Sequence, residues 1–227
     1  MNEVANGTAR LTAYVELLTR YNGSLNLLSD QGLRDVERLL ADGRAYAQLI
    51  AELAGDEPTV VDVGSGAGFP GIVIAALSPR AKVHLVERRR RRAAFLELAV
   101  GGIGLTNATV FSGDVKRLAG VCADVVTAQA VTTLGGLVAV TRHLHREECF
   151  VVSRRGPGWR DELGAVETVL DANQRNGAPN YEAARGAGSF GAQSDSAVAV
   201  VAERVLDQSG SLVALRLTGG PACRSSG

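Results

Sequence analysis

Four glycines at positions 64, 66, 68 and 71 lie between two acidic residues, Asp62 and Glu87, and together they have the makings of a cradle for a nucleoside-type ligand. Val60, Val61 and Val63 form a short β-branched run that ends in this glycine cluster, and Ile72 to Leu77 then resumes an apolar pattern suited to a helix, so the stretch reads as strand, tight turn, helix. Residues without a Cβ let the backbone approach a ligand closely. A helix starting just beyond them presents unpaired N–H groups and the positive end of its dipole. Pro70 suits that start, because a first-turn proline gives up an N–H that has no intrahelical partner. Elsewhere the chain offers no convincing nucleophile, base or metal cluster. His143 and His145 are two apart, which on a helix puts them on different faces. Cys122, Cys149 and Cys223 are few, widely spaced and odd in number, fitting neither a disulfide framework nor a zinc site, and are expected as reduced thiols. The chemistry expected is binding and positioning.

Two cofactor classes use such a turn. Gly66 to Gly71 satisfies the dinucleotide pattern G-x-G-x-x-G. Asp62 to Gly68 equally satisfies D-x-G-x-G-x-G, the first motif of the S-adenosylmethionine-dependent methyltransferases. The acid discriminates: a carboxylate at the strand end repels a pyrophosphate but can hold the cationic methionine end of S-adenosylmethionine, directly or through water. Gly64, Ser65, Gly66, Gly68 and Phe69 are the turn residues expected against that cofactor. Lys82 to Glu87 is a second strand, and its terminal Glu87 lies 19 residues beyond Gly68, where an acid accepts hydrogen bonds from ribose hydroxyls. After a third strand, Ala108 to Phe111, Asp114 and the backbone of Val115 are placed to meet adenine. The fourth strand, Ala123 to Ala128, delivers Gln129, Ala130 and Val131 toward the transferred methyl group, since open parallel sheets place ligands at strand C-termini. The Asn/Asp-Pro-Pro-Tyr/Phe motif of enzymes that methylate exocyclic base amines is missing here.

The longer string DVGSGAGFPG resembles the RsmG (GidB) family, which methylates a guanine ring nitrogen of small-subunit ribosomal RNA; the resemblance runs from about Leu11 to Leu217. Tyr21-Asn22-Gly23-Ser24-Leu25-Asn26-Leu27-Leu28-Ser29 is similar to a W/Y-N-x-x-x-N-L-T/S stretch of that family, although Asn22 and Asn26 have an equally ready role as turn formers. Three polar positions differ from the family pattern. Leu39 replaces a histidine between the retained Arg38 and Asp42, Gln129 stands for an arginine, and Arg155 stands for a lysine whose point charge a guanidinium fork does not reproduce. Gln129 and Arg155 are the residues expected to position the acceptor.

The elements that carry these residues follow in order. Thr8 to Tyr21 and Leu33 to Leu53 show apolar stripes at helical spacing and form an N-terminal cap over residues 1–55, with Gly43 a weak point in the second helix. Residues 56–218 form the cofactor domain and residues 219–227 a disordered tail. Arg88 to Arg92 is a run of five arginines opening a helix, where cations are mildly unfavourable. It reads either as a phosphate-binding surface or as a solvated face, since 22 of the 24 basic residues are arginine. Trp159, the single tryptophan, either stacks on a planar substrate or packs on the next helix. Residues 171–196 are poor in large apolar side chains and read as a long lid-like connection, and two terminal strands follow, Ala197 to Val205 and Ser211 to Leu217.

At 227 residues, 46% hydrophobic and 21% charged, the chain matches an ordinary globular protein, and its 24 basic and 24 acidic residues cancel. No global field draws it to nucleic acid or membrane. No stretch of sequence has an export or membrane-spanning pattern, so a cytoplasmic location is expected. The expected fold is a class I S-adenosylmethionine-dependent methyltransferase: an α/β, Rossmann-like, doubly wound and mostly parallel seven-stranded sheet with an N-terminal helical cap. The three polar departures favour a small-molecule acceptor; 16S ribosomal RNA guanine-7 methylation, with contact through Arg88 to Arg92, is the alternative, and a non-catalytic cofactor- or RNA-binding protein is a third reading.

Overall fold

The computed structural model describes residues 3–129, 132–176, 197–219 and 223. Three helices open the chain, α1 (Glu3–Leu25), α2 (Asp30–Arg34) and α3 (Val36–Ala54). The sheet and its helices follow as β1 (Thr59–Val63), α4 (Gly71–Leu77), β2 (Lys82–Glu87), α5 (Arg90–Gly102), β3 (Ala108–Ser112), β4 (Ala123–Gln129), α6 (Leu134–Thr141), β5 (His145–Arg155), α7 (Leu163–Asn176), β6 (Ala197–Asp207) and β7 (Gly210–Thr218). The strand order is β3-β2-β1-β4-β5-β7-β6, with β7 antiparallel to both neighbours and the other pairs parallel. This is the seven-stranded, doubly wound sheet expected from the sequence.

The alternation of β1 explains how the sheet is covered. Val60 faces a core built with α1, α3, α4 and α5, whereas Val61 and Val63 face a second core built with α6 and α7. Asp62 shares the face of Val60 and therefore lies beneath the start of α4. A Cβ on Gly71 would come within 2.6 Å of Asp62 Oδ2 and 2.3 Å of Leu85 Cδ2, so only glycine lets the helix sit on this strand.

Several local expectations are corrected. Helix α1 does not stop at Tyr21 but continues to Leu25. Asn22 clasps Leu28, accepting its N–H at 2.8 Å and donating to its carbonyl at 3.2 Å, while Asn26 adopts the left-handed conformation (φ 52°) that asparagine tolerates. The single helix expected over Leu33 to Leu53 is broken at Asp35 into α2 and α3, with Ser29 capping α2. Gly43 is a contact point: a Cβ there would lie 2.7 Å from Val73 of α4, so its missing side chain lets the two helices touch.

The cysteines are also corrected. Cys122 and Cys223 form a disulfide with Cα atoms 5.3 Å apart, and Cys149 is the buried free thiol. Sequence separation hid the pair; Cys223 is brought back beside the start of β5, where its N–H donates to the His145 carbonyl at 3.1 Å. His145 is a core histidine, held to Thr141 Oγ1 at 2.9 Å, and burial pushes its pKa down to about 4. The lid expected at residues 171–196 falls largely outside the described residues, as does most of the tail; 163–176 are helical. Among the described residues no helix is long and apolar enough to cross a membrane.

Candidate active site

The turn after β1 closes on itself. Gly64 and Ser65 both donate their N–H groups to the Val86 carbonyl, at 2.8 and 3.1 Å, and Gly68 donates to the Ser65 carbonyl at 2.6 Å. Gly66 donates to Glu87 Oε2 at 3.0 Å, and Glu87 Oε1 accepts the Arg89 N–H at 2.7 Å. Positive φ angles at Gly64, Gly66 and Gly68 make this hairpin-like path available. Glu87 is thus buried at the end of β2 with its carboxylate beside the turn, where the sequence predicts a ribose acceptor, and it also organises the turn itself.

Asp62 is 1% exposed and accepts a hydrogen bond from Thr127 Oγ1 at 2.8 Å on the neighbouring β4. Its Oδ2 is buried without a hydrogen-bond partner among the described residues. Burial pushes the carboxyl pKa up to about 6, so the group holds a proton more readily than an ordinary aspartate. Ser65 and Phe69 are buried in the turn, and Phe69 meets the ring of Tyr14 edge-on at 5.4 Å. Asp114 is exposed beyond β3, where its Oδ1 accepts the Lys116 N–H at 3.0 Å, and Val115 is buried beside it. The Gly113 N–H donates to the Glu87 carbonyl at 3.0 Å, which brings the β3 end next to the β2 end.

The N-terminal helices are built into this region. The Tyr14 hydroxyl of α1 donates to the Ala67 carbonyl at 2.6 Å, and Tyr46 of α3 donates to the Ala128 carbonyl at 3.2 Å while accepting the Arg154 N–H at 2.7 Å. One tyrosine therefore holds the glycine turn and the other holds the C-terminal ends of β4 and β5 together. In the sequence Tyr14 and Tyr46 read only as members of the two apolar helical stripes; the available signal is their hydroxyls, which a buried tyrosine has to satisfy.

Gln129 is half-buried at the end of β4, paired in register with Arg154. Ala130 and Val131 lie outside the described residues. Arg155 is 9% exposed and donates from Nη1 to the Thr132 carbonyl at 2.7 Å, with Glu162 3.6 Å away; Glu162 in turn accepts the Leu134 N–H at 2.6 Å. Its Nε and Nη2 have no partner among the described residues. Leu39 is partly buried and packed against the core. Asp42, retained beside it, is buried and lies 3.4 Å from Arg154, which also pairs with Asp207 at 2.6 Å. Trp159 is 4% exposed, donates to Glu203 at 3.1 Å and carries Arg160 over its ring, which makes it a packing residue. Of the arginine run, Arg88 to Arg91 are exposed; Arg91 donates to the Ser24 carbonyl at 3.2 Å and Arg92 to the Asn26 carbonyl at 2.9 Å, both at the end of α1.

The family model described as GidB, rRNA small subunit methyltransferase G, matches residues 8–178. Over 178 residues the chain is 33% identical to ribosomal RNA small subunit methyltransferase G of Neisseria meningitidis serogroup A, covering 78% of this chain and 84% of that protein. Over 155 residues it is 38% identical to the protein of the same name from Rhodospirillum centenum, covering 68% of this chain and 69% of that one. Among solved structures, a variant of MtNAS in complex with S-adenosylmethionine superposes with a TM-score of 0.56 at 15% identity, over 93% of this chain and 76% of that chain. Trm5b from Pyrococcus abyssi gives a TM-score of 0.56 at 15% identity, over 80% of this chain and 49% of that chain.

Proposed function

The chain belongs to the rRNA small subunit methyltransferase G family, and on that premise we propose that it methylates a guanine ring nitrogen of small-subunit ribosomal RNA. It is an S-adenosylmethionine-dependent methyltransferase. The observation that carries the cofactor is the state of the turn amides: those of Gly64, Ser65, Gly66 and Gly68 are all donated within the protein, leaving none of the four for a pyrophosphate, while two buried carboxylates flank the same turn. Such a cradle fits a cationic nucleoside ligand and disfavours a dinucleotide.

Gly64, Ser65, Gly66, Gly68 and Phe69 would line the cofactor, Asp62 would balance the charge of its methionine end, Glu87 would accept its ribose hydroxyls, and Asp114 with the Val115 backbone would meet adenine. When bound, the cofactor supplies an activated methyl group on a sulfonium. The work left to this chain is alignment and exclusion of water. Tyr46 and Ser153 both donate to the Ala128 carbonyl and so set the end of β4 against β5. Arg155 and Glu162 hold Thr132 and Leu134 on the far side of the same loop. A guanine N7 carries a free lone pair and requires no general base. Among the described residues no group of three or more His, Cys, Asp or Glu is placed to hold a metal.

The small-molecule acceptor expected from the three polar departures lacks support. It takes these positions to face the substrate, whereas Leu39 is partly buried against the core and Arg155 is buried with its Nη1 engaged by a backbone carbonyl and a glutamate. The names of the relatives point to ribosomal RNA instead. Arg88, Arg89 and Arg90, exposed at one end of α5, supply the positive face for the phosphate backbone, and the reaction belongs in the cytoplasm with its substrate.

Undermethylated small ribosomal subunits incubated with the protein and S-adenosylmethionine are expected to release S-adenosylhomocysteine, at a rate that falls steeply as salt rises. Replacing Arg88 and Arg90 by glutamate is expected to slow the reaction and flatten the salt slope by about one to two units. Bound cofactor with no transfer to subunits at any salt would refute the RNA assignment.

A further inference from the structure

Arg92 stands apart from the rest of its run. It is half-buried, and its Nη1 lies 3.6 Å from the point a Cβ on Gly66 would occupy, so the guanidinium overlies the glycine turn. Nη2 is anchored to the Asn26 carbonyl at 2.9 Å, at the left-handed end of α1, whereas Nη1 makes no hydrogen bond to the described residues. The group is therefore held in place with donor capacity directed at the turn.

We propose that Arg92 receives the carboxylate of the cofactor's amino-acid end; this rests on the S-adenosylmethionine assignment above. The ligand carries a carboxylate as well as its sulfonium and ammonium charges, and the turn is lined by Asp62 and Glu87. The amides of Gly64, Ser65, Gly66 and Gly68 are already donated, so these four do not answer that carboxylate, and Arg92 Nη1 is the side-chain donor placed beside them. A planar guanidinium fork is the side chain best matched to a carboxylate. The tether to Asn26 gives the contact a second consequence: seating the cofactor is coupled to docking of the α1 end, because one guanidinium serves both.

The test compares S-adenosylhomocysteine with 5′-methylthioadenosine, which retains the adenosine and sulfur but lacks the amino-acid portion, by calorimetry on the full chain. Arg92→Gln is expected to weaken S-adenosylhomocysteine about 10- to 100-fold and to leave methylthioadenosine within about twofold. Arg91→Gln, which loses a comparable contact to the α1 end, should change neither ligand. Equal losses for both ligands in Arg92→Gln would show that Arg92 acts only through helix docking, and no loss for either would remove it from the site; each overturns the proposal. The wild-type protein gives an arm that is independent of the variant's folding: converting the ligand's carboxylate to an amide should cost about tenfold or more in affinity, and an unchanged affinity overturns the proposal. Wild-type protein that binds neither nucleoside would instead refute the cofactor assignment on which it rests.

Discussion

Gly66 and Glu87 are joined by a 3.0 Å hydrogen bond from the turn amide to the carboxylate Oε2, so the end of β2 and the turn after β1 are set by one another. The same carboxylate, through Oε1, accepts the Arg89 N–H that opens the way into α5. One buried acid thus fixes two loops at the C-terminal edge of the sheet.

Glu87→Ala should therefore affect the cofactor twice, by leaving the Gly66 amide unpaired and by removing the proposed ribose acceptor. A hydrogen bond to a charged group is worth about 1.5–3 kcal/mol, so S-adenosylhomocysteine affinity is expected to fall by about one to two orders of magnitude. Calorimetry checks this, and unchanged affinity in a folded variant would place the ribose elsewhere.

Two helical glycines should respond to alanine in opposite directions. Gly23 of α1 has nothing within 4 Å of an added Cβ, and replacing it should stabilise the protein by about 0.5–1 kcal/mol. Gly43 faces Val73, where three side-chain atoms would lie under 3.0 Å from the new methyl, and overpacking there should destabilise by about 1–3 kcal/mol despite the better helix propensity. Urea denaturation of both variants decides it; a stabilised Gly43→Ala would show that α3 and α4 do not meet as described.

Asp62 gives the stability a distinctive pH dependence. Its folded pKa, near 6, lies above the ordinary 3.8, so the folded state binds the proton more tightly than the unfolded chain. This contribution is fully present below pH 4, declines as pH rises toward 6, and is lost above that. Asp62→Asn should remove the dependence and be more stable than wild type by about 2–3 kcal/mol at pH 7, with the gap closing by pH 4. Cofactor affinity should move the other way, because the variant lacks the charge proposed to balance the methionine end. Denaturation curves from pH 4 to 8 test the first statement, and a gap that stays constant with pH would sink it.

The Cys122–Cys223 bridge spans 101 residues of sequence and ties the chain's end beside the starts of β4 and β5, away from the turn at the strand C-termini. Cys223→Ser should lower stability by about 2–4 kcal/mol under oxidising conditions and leave S-adenosylhomocysteine affinity unchanged. A reductant should erase the difference between variant and wild type, so a melting-temperature gap that persists in reductant would exclude the bridge as its cause.

The sequence alone determined the strand–turn–helix at Val60 to Leu77, the succession of strands through β4, the identity of the cofactor class and the family, because these depend on local periodicity and on residue types at short spacing. What it could not decide were relations across the fold. Gly43 looked like a weakness because its partner Val73 is 30 residues away, and the cysteines looked unpaired because their separation along the chain says nothing of their separation in space. A linear pattern carries no direction, so only the fold shows that Leu39 lies partly buried against the core and that Arg155 reaches Thr132 and Glu162 through Nη1. The pairing of the turn amides was also decided in three dimensions, where Val86 and Glu87 of the adjacent strand accept those of Gly64, Ser65 and Gly66.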